Sequence, residues 1–292
     1  MAEGGLAVAA AAAASPSGIP GAGEILDKAA RENFPVALRI LGPETRRRLE
    51  AIYGFARLVD DAGDLYTGDR RALLDWIEGD LDRAYEGRAE HPLLQRLSTV
   101  VRELKLPRGP FARLIEANRQ DQEIARYATW AELAAYCDLS ANPVGELVLH
   151  VFGAATPERI RRSDAVCTGL QLAEHWQDVG EDLARGRIYI PAEDMALHGV
   201  RESDLDAELP GAEVQALLRF EVARARTLLD EGIPLVAALS GRQRLAIAAY
   251  IGGGRAALAE VERSGYDVLH RSPSAGARER LNATLRVLRE AR

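Results

Sequence analysis

Apolar residues recur along this chain at three- and four-residue intervals and almost nowhere at alternate positions. That spacing places them on one stripe of an α-helix, whereas a half-buried strand needs a period of two. Helices are predicted over 22–41, with a break near Phe34-Pro35, and from Pro43 through the stretch 51–64, proline being suited to a first turn. Others are predicted over 69–85, 92–104, 111–127, 212–238 and 242–269. Thr129 with Glu132 three residues on reads as a capping box for a helix carrying Tyr136 and Ser140 on one face. Pro143 removes a backbone donor and clashes with the preceding turn, so that helix must kink near Asn142. The run 144–152 beyond it is too apolar for a surface and suits the wall of a hydrocarbon pocket. Together these features predict a single all-α domain, a helical bundle with a central cavity.

The most informative helix is predicted over 169–184. At about 100° per residue, Leu172, Trp176, Val179 and Leu183 fall on one side, and Gln171, His175, Asp178 and Asp182 on the other. Asp178 and Asp182 stand one turn apart, so they repel, and Glu181 adds to the repulsion. Taken alone this is a solvated helix face. A second stretch changes the reading: Tyr53, Arg57, Asp60 and Asp64 share a face of the 51–64 helix, with Asp61 at its edge. Two such helices facing each other would gather more negative charge than a cavity holds uncompensated. Hard oxygen ligands of this kind suit Mg²⁺, which binds through carboxylates plus substrate phosphates. The expected site is therefore a Mg²⁺–diphosphate site.

Composition narrows the partners. A net charge of −7 argues against a nucleic-acid binder, whose footprint is basic. The two cysteines, Cys137 and Cys167, read as small buried residues in a reducing compartment. The five histidines show no zinc spacing, and His175 is read as structural or supporting. No apolar run approaches the ~20 residues that span a bilayer. The alanine-rich start lacks a basic n-region, so residues 1–20 read as a disordered tail, and the expected location is cytoplasmic. Residues 272–292 read as a linker and a charged C-terminal helix.

These segments resemble, in order, those of the squalene/phytoene synthase family. Asn33-Phe-Pro-Val36 with Arg39 resembles its N-terminal segment, and 53–64 its first aspartate-rich motif. Residues 136–145 resemble the kinked cavity helix, and 171–182 with 187–191 the second motif and its flap. Asn142-Pro143 and Trp176-Gln177-Asp178 resemble the hopanoid-pathway hydroxysqualene synthase branch. One departure is Glu174, where most members carry a metal-binding Asn.

The resemblance implies an isoprenoid-synthase-type bundle over 21–271. It implies Mg²⁺ held by Asp60, Asp61, Asp64, Glu174, Asp178 and Asp182. Arg57 and Arg187 are expected on phosphate, whose oxygens match a guanidinium fork. Tyr53, Tyr136 and Gln171 are expected at the reacting centre, and Asn33, Ser140, Asn142 and Tyr189 as substrate contacts. The implied substrate is presqualene diphosphate or farnesyl diphosphate, with peripheral contact at the inner face of the membrane and functional coupling to other squalene-pathway enzymes. Two alternatives stay open: a head-to-head prenyl transferase, and a non-catalytic prenyl-lipid-binding partner subunit, to which Glu174 lends some support.

Overall fold

Proline and short polar caps decide where many of the helices begin. The computed structural model describes residues 41–292; the predicted tail, the helix over 22–41 and Asn33 lie outside the described residues. Pro43, Pro92, Pro143 and Pro157 occupy the first turns of α1 (Pro43–Asp64), α3 (Pro92–Leu104), α6 (Asn142–Val151) and α7 (Pro157–Gln177). Asp69 caps α2 (Arg70–Tyr85) by accepting from the Ala72 amide. Thr129 caps α5 (Trp130–Ser140) through the Glu132 amide. Glu132 reaches back to the Ala128 amide rather than to that of Thr129, a variation on the expected box. Between these elements lies α4 (Gly109–Gln120).

The kink expected at Pro143 is a full break. Helix α5 ends at Ser140 and α6 begins at Asn142, joined through Ala141. The long helix expected over 169–184 is also broken, at Asp178, which separates α7 from α8 (Val179–Ala184). The cause is tertiary: the Gly180 amide donates to the Val268 carbonyl, and a Cβ on Gly180 would lie 1.8 Å from the Leu269 oxygen. Only glycine lets the chain approach that closely.

Downstream come α9 (Ala192–Leu197), a 3₁₀ turn (Glu202–Asp206), α10 (Ala212–Glu231), α11 (Ile233–Ala237), α12 (Gly241–Arg263) and α13 (Ala277–Glu290). The helix predicted over 212–238 is thus split at Gly232, where a Cβ would meet Val166 Cγ2 at 2.0 Å. Among the described residues the one departure from helix and loop is an isolated bridge between Arg126 and Ile188.

Helix α7 runs through the centre, packed by α6, α10 and α12. Trp176, fully buried, donates its indole N–H to the Glu221 carbonyl at 3.2 Å, so the apolar side of the second motif faces core. Gly252 and Gly254 serve close helix packing: Gly252 meets Thr284 of α13, and Gly254 meets Leu170 and Leu229, whereas Gly253 faces open space. A buried ion cluster sits beyond the flap. Arg224, between Trp130 and Phe220, bonds both Asp194 and Glu221 at 2.8 Å.

Candidate active site

The first acidic face forms as its spacing requires. Asp60 is accessible to solvent, yet loss of bulk water around it pushes its carboxyl up to about 7, with Asp64 and Asp61 adding to the rise. Asn118 of α4 donates to Asp60 at 3.2 Å and lies so close to α1 that a Cβ on Gly63 would sit 2.2 Å from its Oδ1. Asp61 is buried and paired with Arg57 at 3.0 Å. Asp64, at the helix end, is exposed.

The second face forms around the break. Asp178 caps α7 and accepts, through its carbonyl, the Asp182 amide at 2.8 Å, so the two remain one turn apart although the helix is interrupted. Burial raises the Asp178 carboxyl, and neighbouring Glu181 and Asp182 raise it further, against the opposing pull of Ser272. Glu174, one turn before, is exposed and lies on the same helix as Gln171 and His175.

The segment after the second motif joins the two faces. Residues 186–193 are pinned along 125–128: the Ile188 amide donates to the Ala125 carbonyl, the Ala192 amide to Tyr127 and the Glu193 amide to Ala128. This directs Arg187 onto Asp64, at 3.2 Å, and Tyr189 onto His175, whose rings stack at 3.6 Å. His175 in turn faces Asp182 at 3.6 Å and Gln171 at 3.1 Å. One chain of contacts therefore runs from Asp64 through Arg187, Tyr189 and His175 to Asp182.

Asp121 belongs to this group although it is not among the expected site residues. Tyr136 donates to its Oδ2 at 3.0 Å, while its buried Oδ1 has no partner among the described residues. Burial lifts its carboxyl to about 6, and Arg187 opposes the rise. Tyr127, Tyr136 and Tyr189 surround it with ring centroids 5.5–5.9 Å apart. The signal was present: Asn118, Asp121 and Gln122 fall at i, i+3 and i+4, with Gln122 bonded to the Gly63 carbonyl at 3.1 Å.

Three further expected residues lie on α1, α5 and α6. Asn142 is buried at the helix break, donating to Asp138 at 2.5 Å and accepting from Thr168 at 3.0 Å. Ser140 bonds back to the Tyr136 carbonyl at 3.1 Å. Tyr53 is half-buried on α1, one turn before Arg57.

The donor set is hard oxygen, and several of its carboxylates are held in surroundings that disfavour their charge, which a cation would relieve. Among the described residues no three carboxylates or imidazoles lie close enough to cage an ion unaided. The set fits Mg²⁺ completed by water and phosphate oxygens, the way this ion is usually held.

The family model of squalene/phytoene synthase matches residues 27–279. The chain belongs to the squalene/phytoene synthase family. It is 37% identical to a hydroxysqualene synthase of Sinorhizobium fredii over 74% of each chain. It is 31% identical to a phytoene synthase of Mycobacterium tuberculosis over 82% of this chain and 81% of the relative. The solved squalene synthase HpnC of Alicyclobacillus acidocaldarius shares 42% identity and superposes with a TM-score of 0.79, over 84% of this chain and 95% of that one. As a squalene/phytoene synthase the protein is a prenyl-diphosphate enzyme, and the all-α bundle is that family's fold. No helix among the described residues is long and apolar enough to cross a membrane.

Proposed function

We propose that the protein converts presqualene diphosphate to hydroxysqualene in a Mg²⁺-dependent reaction. The observation that carries this reading is the closure of Arg187 onto Asp64, which sets a guanidinium between the two acidic faces where a diphosphate would sit. The relatives named hydroxysqualene synthase support the choice of reaction.

Asp60, Asp61, Asp64, Glu174, Asp178 and Asp182 would hold Mg²⁺, which when bound neutralises charge growing on the leaving diphosphate. Arg187 and Arg57 orient the diphosphate oxygens as the C–O bond breaks. The aromatic faces of Tyr136, Tyr189 and Tyr53 shelter the cation left behind, which rearranges and is captured by water. Gln171, on the same helix face, fixes the His175 ring. The catalytic domain is assigned to 21–271, followed by a linker and charged helix over 272–292. The hydrocarbon chains of substrate and product place the enzyme in peripheral contact with a membrane.

The 31% identity to a phytoene synthase favours one second reading, head-to-head condensation of two prenyl diphosphates. A single experiment separates them: purified protein is given presqualene diphosphate or farnesyl diphosphate, with and without Mg²⁺, and products are identified by mass spectrometry. Hydroxysqualene from presqualene diphosphate only when Mg²⁺ is present supports the proposal. Coupled products from farnesyl diphosphate, with presqualene diphosphate untouched, refute it.

A further inference from the structure

Beneath Tyr189 lies a cavity of mixed character. Trp176, Ile188 and Ile190 give it apolar walls, and His175, Asp182 and Arg187 give it a polar side. Its volume of about 10 Å³ is roughly the room one water needs, and two to four polar neighbours are what such a water requires.

His175 is held on all sides of that space. It is buried, its face stacks on Tyr189, and its Nε2 meets the Gln171 amide nitrogen, a donor, at 3.1 Å. With Nε2 accepting, the ring proton sits on Nδ1, the edge that faces Asp182. That separation, 3.6 Å, is too long for a direct hydrogen bond and is the kind of gap a water bridges.

We infer that this cavity holds the water that captures the carbocation, and that His175 is its positioning residue. The inference rests on the function proposed above. An enzyme that ends a cation's life with one hydroxyl must admit one water and exclude the rest. A space with room for one water, with indole and isoleucine among its walls and Arg187 beside it, fits that need. The chemistry balances: the water oxygen forms the new C–O bond, and its surplus proton passes to the diphosphate released on ionisation. Presqualene diphosphate plus water thus gives the alcohol plus protonated diphosphate.

The test compares the full-length protein with His175→Phe, His175→Leu and His175→Asn. Each is given presqualene diphosphate and Mg²⁺, and products are quantified by gas chromatography with mass detection. Folding is checked by circular dichroism, and calorimetry with inorganic diphosphate checks that the anion still binds. Phe keeps the stack on Tyr189 but has no N–H; Leu keeps neither. Both should raise the ratio of hydrocarbon to alcohol, per molecule consumed, roughly tenfold, the effect of losing one hydrogen bond. Asn, with its amide near the Nδ1 position, should restore alcohol. An unchanged ratio in the Phe and Leu variants overturns the inference. So does a rise in the Mg²⁺ needed for half-maximal rate with alcohol still the sole product, since His175 would then serve Asp182 alone. Wild-type protein that makes no alcohol sinks the parent reading, and this one with it; wild-type alcohol with an unchanged variant ratio sinks only this one.

Discussion

Arg187 and Asp64 meet at 3.2 Å although 123 positions separate them in the chain. Asp64 is half exposed, so the pair adds little to stability, a few tenths of a kcal/mol by the record of exposed ion pairs. Its consequence is positional: it holds a cation at the junction of two acidic faces. Arg187→Ala should raise KM for the diphosphate substrate by roughly ten- to a hundredfold, the loss of a charge-assisted hydrogen bond or two. The melting temperature should stay within a degree or two, and Arg187→Lys should recover part of the affinity. Steady-state kinetics and calorimetry with inorganic diphosphate measure this; an unchanged KM removes Arg187 from the phosphate.

Asp178 presents a carboxylate at the end of α7 without being needed to fold it. Asp178→Asn preserves shape and cap while removing charge. Turnover should fall by at least about a thousandfold if the metal-held charge stabilisation is lost, on the scale of other single electrostatic contributions. Chelation of Mg²⁺ should abolish turnover reversibly. Near-normal activity of the variant at ordinary Mg²⁺ would show that Asp178 is not a principal ligand.

Glu174 tests how the site tolerates its extra charge. A fixed negative ligand favours a hard divalent ion. Glu174→Gln should therefore raise the Mg²⁺ concentration for half-maximal rate several-fold, about 1 kcal/mol, while the alcohol product is unchanged. A shift in product at constant metal requirement would instead move Glu174 to the handling of water.

Gly180 accounts for the break at Asp178. With a Cβ position 1.8 Å from the Leu269 carbonyl oxygen, Gly180→Ala must displace backbone. A loss of about 3 kcal/mol or more is expected, at the upper end of overpacking effects. Urea unfolding measures it, and a variant as stable as wild type would show that 268–269 does not hold the break in place.

Glu221 is fully buried beside Asp194, and burial pushes its carboxyl up to about 8, against the pull of Arg224. The folded state therefore binds a proton that the unfolded state releases near 4.5. Its contribution to stability is fully present below about 4.5 and is lost as pH rises through about 8. Asp60 and Asp121 titrate in the same sense, so the informative quantity is a difference. Glu221→Gln should flatten the decline in melting temperature between pH 5 and pH 8 relative to wild type. Parallel profiles would assign the decline to other groups.

Periodicity determined the helical character of the chain and the two acidic faces, and proline chemistry the break at Pro143, because those depend on residues within a turn or two of one another. The i, i+4 spacings of Asp60 with Asp64 and of Asp178 with Asp182 survive in the structure, the second even across a helix break. What local spacing could not hold is where a distant backbone presses. The Leu269 carbonyl against Gly180 ends α7. The same holds for residues whose role comes from their neighbours. Asp121 lay in an ordinary polar run until Tyr136 and Arg187 closed over it, and Asn142 turned inward because Asp138 and Thr168 satisfied its amide. Side-chain period is a property of one helix; desolvation and pairing belong to the space between helices, and only the tertiary structure decides them.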